Sequence, residues 1–259
     1  MPIAHAQRLR TARGVPGYCT GARADRLVCP SLQDTPGPVK RPPDRATAMR
    51  FAQMAQAPTD GHHGVVTHHH LLPHPRVPRG PVESITARVF AVPPQALILQ
   101  FVLRGDLHRV RVPAESDGGR ADALWRHTCF EAFVRRADDP GYLELNFAPS
   151  GRWQAYQFAA YRDGMTPADL PQPVSITVGQ RERVQAAAAS PAAQEDALAL
   201  EALVYLPVPG AQAGRELRLA LSAIVEDETG TLSYWALRHA PGRPDFHHPD
   251  AFALTLAWT

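Results

Sequence analysis

From residue 81 onward the chain alternates apolar and polar residues with a period of two, in short runs separated by Gly or Pro. "VESITARVF" (82–90) and "ALILQFVL" (96–103) flank "AVPPQ", and Pro93-Pro94 cannot extend a central strand, so they mark a turn. "LHRVRV" (107–112) follows the Gly105-Asp106 turn. "CFEAFV" (129–134), "YLELNFA" (142–148) and "RWQAYQF" (152–158) are joined by "ADDPG" and "PSG". Further runs stand at 174–178, 183–188, 197–206, 216–225, 232–237 and 251–258. "RADALWRH" (120–127) suits one helical turn before its strand, and the Ala-rich 185–193 another. Helical periodicity is otherwise nearly absent. Regular short strands with Gly/Pro turns predict an all-β fold, an antiparallel β-sandwich or jelly roll.

The first 80 residues read differently. They hold 11 Lys+Arg against 4 Asp+Glu, with only Tyr18 and Phe51 as aromatics, whereas residues 81–259 hold 16 against 21 and the other 17 aromatics. The net +2 therefore joins a basic, Pro-interrupted leader to an acidic body. A packed core needs aromatic and branched apolar side chains to offset chain entropy, and the leader lacks them. Residues 1–75 are expected to be a disordered leader, an artefact of the start site if Met49 or Met54 begins the chain, and 76–259 the folded, ligand-binding domain. The His-rich "GHHGVVTHHHLLPHP" (61–75) is expected to be a linker that binds metal at most adventitiously. The scattered Arg residues of the leader form no nucleic-acid patch. No secretory h-region or transmembrane run is visible, so a cytoplasmic location and no membrane partner are expected. Cys19, Cys29 and Cys129 make no disulfide framework, which fits a reducing compartment.

Strand alternation sorts the candidate site residues by face. In "YLELNF", Tyr142, Glu144 and Asn146 share the face opposite Leu143, Leu145 and Phe147. In "CFEAFV", Cys129, Glu131 and Phe133 share one face, so Glu131 stands beside Glu144 or Asn146 if the two strands pair as a hairpin. Carboxylates and amides accept from or donate to hydroxyls while an aromatic ring stacks on apolar C–H faces, a combination suited to a sugar. By alternation alone this face is expected to be solvated. Paired carboxylates also serve acid–base chemistry, but no nucleophile elbow, phosphate loop or metal-spaced His pair accompanies them. His127 and Cys129 are too few for zinc, and Cys129 reads as an ordinary buried thiol. A second dense segment, "SYWALRHAPGRPDFHHPDAF" (233–252), brings Trp235, Arg238, His239, Arg243, Asp245, His247 and His248 into one strand and loop.

"LWRHTCFEAFV", "YLELNFAPSGRWQAYQFAAYRDGM", "LSAIVEDETGTLSYWAL" and "HAPGRPDFHH" together resemble the bacterial DOMON-like proteins, relatives of family 9 carbohydrate-binding modules. The likeness runs from about His74-Pro75 to the C-terminus. It implies an antiparallel β-sandwich that binds a ligand, carbohydrate or a sugar derivative first, without transforming it; no catalytic residue is assigned. The ligand-binding set expected on this basis is Trp125, Glu131, Glu144, Asn146, Trp153, Trp235, Arg243 and His247. Arg243, Arg152 and Arg126 are the guanidinium groups expected to hold the carboxylates ionised. No resident cofactor is expected. The resemblance also leaves open a haem held by Met165 and a C-terminal His, with His239, His247 and His248 able to supply it and His248 named first. The paired carboxylates leave open a glycoside or ester hydrolase using Glu131 and Glu144, and the sandwich faces a domain that packs on a partner protein.

Overall fold

The computed structural model describes residues 66–92, 94–179, 197–207 and 215–258. They form thirteen strands in chain order: β1 (Val66–Pro73), β2 (Val82–Val92), β3 (Ala96–Gly105), β4 (Gly119–Arg120), β5 (Cys129–Arg136), β6 (Tyr142–Phe147), β7 (Arg152–Phe158), β8 (Thr166–Pro167), β9 (Ser175–Gly179), β10 (Ala197–Tyr205), β11 (Arg215–Glu226), β12 (Leu232–Ala236) and β13 (Leu254–Trp258). Three single 3-10 turns complete them, at Leu107–Arg109, Leu124–Arg126 and Pro249–Ala251. Among the described residues no helix is long and apolar enough to cross a membrane.

Hydrogen bonding runs without a break along the path β9-β10-β3-β2-β1-β12-β11-β5-β6-β7-β4, with β13 on β11 and β8 on β7. Every pair is antiparallel except the short β4–β7 pair. The path curls into two layers, and β1 is the joint. Its residues 66–71 pair with β2, while Leu72 and Pro73 pair with Ala236 and Trp235 of β12. One core fills the space between the layers. Ile85, Leu99, Phe101 and Leu200 enter from β2, β3 and β10, and Phe130, Leu145, Phe147, Leu219 and Trp235 from β5, β6, β11 and β12. Phe101 and Phe130 stack across the gap with ring centroids 5.0 Å apart. The all-β sandwich expected from the alternating runs is the fold observed.

The layers differ in how many faces they bury. In β2 and β3 burial alternates, so one face meets the core and the other the solvent, where Gln100 Nε2 donates to Glu201 Oε2 at 2.8 Å. Every residue from Cys129 to Val134 and from Tyr142 to Phe147 is buried. The outer face of this hairpin is covered by the segment after β12, whose Phe246, Ala251 and Phe252 pack on Phe133, Tyr142, Tyr156, Phe158 and Ile224. Full burial of a Phe side chain is worth roughly 1.5–3 kcal/mol, enough to fold an irregular segment back over a sheet. The expectation that the Tyr142–Glu144–Asn146 face is solvated is therefore overturned.

Three further expectations change. The His-rich stretch is not simply a linker: His68, His69 and His70 lie in β1, opposite Arg88, Ala87 and Thr86. The boundary at residue 75 thus cuts off the strand that joins the layers. "LHRVRV" is not a strand: Leu107–Arg109 is a 3-10 turn, and Val110 makes one isolated bridge to Asp227. Gly105 explains the abrupt end of β3. Its φ is +147°, and a Cβ there would stand 2.3 Å from the Pro81 carbonyl oxygen, so the chain must turn on a residue without one. The run 183–188 lies outside the described residues.

Removing residues 1–75 takes β1 with it. That deletion is expected to lower the urea midpoint well below that of the full chain, or to prevent folding. An unchanged midpoint would show that the layers close without β1.

Candidate functional site

The outer face of the second layer gathers side chains from five adjacent strands. Glu131 stands opposite Asn146 on one side and Ser222 on the other, and Glu144 stands opposite Phe133 and Tyr156. Tyr234 and Ile224 continue the same face on β12 and β11. Alternation left Glu131 beside Glu144 or Asn146 in a hairpin, and the register sets it opposite Asn146. Between that face and the C-terminal segment lies a cavity of about 450 Å³. Glu131 and Glu144 form its polar floor. Phe133, Tyr156, Phe158, Ile224 and Tyr234 form its walls, Pro244, Phe246 and His247 its cover, and Trp125, Arg162 and Met165 its rim.

Two rim elements are built on strained backbone. Ala123 (φ 57°) and Arg162 (φ 53°) are the non-glycine residues with positive φ among the described ones. Each such conformation costs about 1 kcal/mol or more and persists only where the surroundings impose it. Ala123 opens the 3-10 turn that lifts Trp125, 44% exposed, to the mouth. Asp122 anchors that turn by accepting from Gln154 Nε2 at 2.8 Å and Tyr156 OH at 2.9 Å. Arg162 sits in the tight turn closed by Gly164 (φ +66°), where a Cβ would stand 2.8 Å from that of Ala159. Its guanidinium is held by Asp245 of the covering segment at 2.8 Å.

The floor is electrostatically unusual. Glu131 Oε2 accepts from Ser222 Oγ at 3.0 Å, and Glu144 Oε1 accepts from Asn146 Nδ2 at 2.8 Å. Neither carboxylate forms an ion pair with a guanidinium among the described residues. Burial, reinforced by the charge of Glu144, pushes Glu131 up to about 8, and burial also raises Glu144. The pair therefore titrates as a unit and carries a proton at neutral pH. This corrects the expectation that an arginine keeps these groups ionised. Arg152 bonds Asp117, Arg126 stands over the Trp125 ring and Arg243 is exposed.

His247 is boxed by the rings of Phe133, Tyr142 and Phe158, and burial lowers its pKa to about 4, so the imidazole is neutral at pH 7. The Tyr142 hydroxyl oxygen accepts from the Arg162 backbone N–H at 3.2 Å and lies 2.8 Å from His247 Nδ1. One tautomer of the ring has that hydroxyl donating to Nδ1. The ring proton then sits on Nε2, 3.8 Å from Glu144 Oε2, too far for a hydrogen bond. The cavity thus presents a donor and an acceptor at a spacing that a ligand hydroxyl can bridge.

Of the expected site residues, Trp125, Glu131, Glu144 and His247 line the cavity, and Asn146 braces Glu144 from beneath. Trp153 and Trp235 do not belong to it. Both occupy the core on the opposite face, Trp235 only 1% exposed with its Nε1 donating to Ser233 Oγ at 3.1 Å. Trp153 lies under the Arg120 guanidinium, 4.5 Å from the ring centroid. Met165 is on the rim, but His248 is outside the cavity and its Nδ1 accepts from the Asp250 N–H. Met165 and His248 are thus not brought together there, whereas His247 shares the cavity lining with Met165. Among the described residues no group of three or more His, Cys, Asp and Glu suits a metal ion. The expected set omitted Phe133, Tyr156, Phe158 and Tyr234, although alternation already places Phe133 with Glu131, and Tyr156 and Phe158 with Gln154. Arg162 carried no such signal, because a turn, not a periodicity, aims it.

No family model matches the chain, and no curated protein matches it. Among solved structures, a candidate carbohydrate-binding protein from Bacteroides uniformis superposes with a TM-score of 0.53 at 16% identity, over 81% of this chain and 90% of its own. Two structures of a family 9 carbohydrate-binding module from Caldicellulosiruptor kristjanssonii also match. The cellotriose complex gives a TM-score of 0.39 at 10% identity, over 68% of this chain and 75% of that one. The glucose complex gives 0.34 at 11%, over 61% and 69%. At these identities the first likeness establishes the fold, and the two weaker ones add no argument.

Trp235→Ala should cost about 3–5 kcal/mol of stability, as a core truncation does, while Trp125→Ala at the rim should change the denaturation midpoint little. Stability should also peak at mildly acidic pH. Glu131 has a raised folded pKa, so its contribution is complete below its unfolded value of 4.5 and is lost as pH rises toward about 8. His247 has a depressed one, so its contribution is complete above 6.5 and is lost as pH falls toward about 4. Glu131→Gln should flatten the alkaline side of a urea-midpoint against pH curve.

Proposed function

We propose that this chain is a non-catalytic binding module for a small hydroxylated ring ligand, with carbohydrates first, in line with its resemblance to DOMON-like and family 9 carbohydrate-binding sandwiches. The observation that supports this most is the cavity itself: aromatic walls over a floor of hydrogen-bonding groups left open toward it. A sugar has two kinds of surface, and both find partners here. Its apolar C–H faces stack on rings such as Trp125, and its hydroxyls meet His247 Nε2 and the two carboxyl groups. The cavity is within the range of small-ligand sites. Strained backbone at Ala123 and Arg162 fits the same reading, since such strain collects where a ligand is clamped. The likeness to a candidate carbohydrate-binding protein from Bacteroides uniformis agrees with it. Anionic ligands such as sugar nucleotides fit less well, because each would bring negative charge onto Glu131 and Glu144.

A thermal-shift screen of the full chain tests this. Monosaccharides and disaccharides should raise the apparent Tm in proportion to the logarithm of concentration above Kd. Sugar nucleotides and haem should not. Trp125→Ala should weaken the best sugar by about 1 kcal/mol, roughly fivefold. A chain that no sugar stabilises would overturn the proposal. So would turnover of a glycoside that Glu131→Gln abolishes, which would replace the binding module by a hydrolase.

A further inference from the structure

We infer that the ligand of this cavity carries a positively charged nitrogen on a hydroxylated ring, as an amino sugar does, with its ammonium seated between Glu131 and Glu144. This rests on the binding-module reading and narrows its ligand class.

Two carboxyl groups, 2% and 5% exposed, share the floor of one cavity. Their protein partners are a hydroxyl, Ser222, and an amide, Asn146. The nearby guanidinium, Arg162, is already committed to Asp245 through Nε and Nη2. Buried carboxylates are ordinarily paired with a cation, because an unpaired buried charge is costly. Here no guanidinium among the described residues bonds either group, Arg162 reaching Glu144 only through its more distant charge, and the pair holds a proton in place of a bonded cation. An ammonium entering the cavity is the missing counterion: it lets both groups ionise and donates to each of them a strong, charge-assisted hydrogen bond. The walls favour the same occupant. Phe133, Tyr156, Phe158 and Tyr234 turn aromatic groups into the cavity, and a ring face attracts a cation. A neutral hexose would satisfy the hydroxyl-bridging gap at His247 but would leave the carboxyl pair sharing its proton.

Binding of an ammonium must also move a proton. The other titratable groups around the pair are Cys129 on β5, Tyr142 on β6, Tyr156 on β7, Tyr234 on β12, and Arg162, Asp245 and His247 at the rim and cover. Burial raises Cys129, Tyr142 and Tyr156, so all three are neutral at pH 7, and burial keeps His247 neutral from the other side. Arg162 and Asp245 neutralise each other. The proton released on binding therefore comes from the Glu131–Glu144 pair.

Calorimetric titration of the full chain at pH 7 with D-glucosamine, D-glucose, N-acetyl-D-glucosamine and benzylamine tests this. Glucosamine is expected to bind about tenfold or more tightly than glucose and N-acetylglucosamine, which lack the charge. Its apparent enthalpy should differ between phosphate and MOPS buffers, because a proton is released. In Glu131→Gln, or in Glu144→Gln if the first variant does not fold, the ratio of glucosamine to glucose affinity should fall toward one. Equal binding of glucosamine and glucose by the unaltered chain would overturn the inference and leave the sugar-binding reading standing. Benzylamine binding more tightly than glucosamine would keep the cation and overturn the hydroxylated ring. Binding of none of the four would remove both.

Discussion

The structure depends on covering a sheet face that carries two carboxyl groups. In the second layer, β5 and β6 have no solvent side. Their inner residues, such as Phe130 and Leu145, join the common core, and their outer residues lie beneath the segment that ends in Phe246 and Phe252. Apolar burial of those rings drives the cover closed, yet closing it removes water from Glu131 and Glu144. The fold accommodates this by hydrogen-bonding each group to a neutral partner and by letting the pair retain a proton. A packed second layer and a polar cavity are thus two consequences of one closure.

The same closure explains why the site is lined by elements far apart in sequence. Asp245 of the cover holds Arg162, Asp122 of the β4–β5 connection holds Tyr156, and Tyr142 of β6 holds His247. Each contact ties a loop to another element, so the irregular rim is fixed by the regular sheet beneath it. Function placed on loops over a rigid scaffold is the usual division of labour. Strain at Ala123 and Arg162 is sustained because these contacts leave the two turns no relaxed alternative.

The two layers divide the work. The first, β2, β3 and β10, keeps one solvated face and supplies half the core. The second supplies the other half and presents its outer face to the cavity. Strand β1 binds them by pairing with each, which gives a structural role to a His-rich stretch whose composition suggested a linker. Composition is a poor guide there because pairing depends on backbone groups, and the outward histidines need only tolerate exposure.

Much of the fold was legible in the sequence, because strand alternation is a local property of the chain. The runs 129–134, 142–148 and 152–158 form β5, β6 and β7 almost to the residue, and the pairing of Glu131 with Asn146 follows from their hairpin. Alternation also separated Glu144 and Asn146 from Leu143, Leu145 and Phe147. It could not say which face of a strand would be dry. Trp153 and Trp235 looked like sugar platforms and are core, because sidedness is decided by what packs on the strand, and for β7 and β12 that is the opposite layer. Nor could it place charges in space. The arginines expected to hold the carboxylates are engaged elsewhere or exposed, and the one at the rim, Arg162, arrives by a left-handed turn. The sequence by itself determined the strands, their turns and the shared face of Glu131, Glu144 and Asn146, since these depend on residues within a few positions of one another. Only the tertiary structure decided that this face is buried, covered and, among the described residues, without a guanidinium bonded to its carboxyl groups, since that depends on where a segment about a hundred residues later comes to rest.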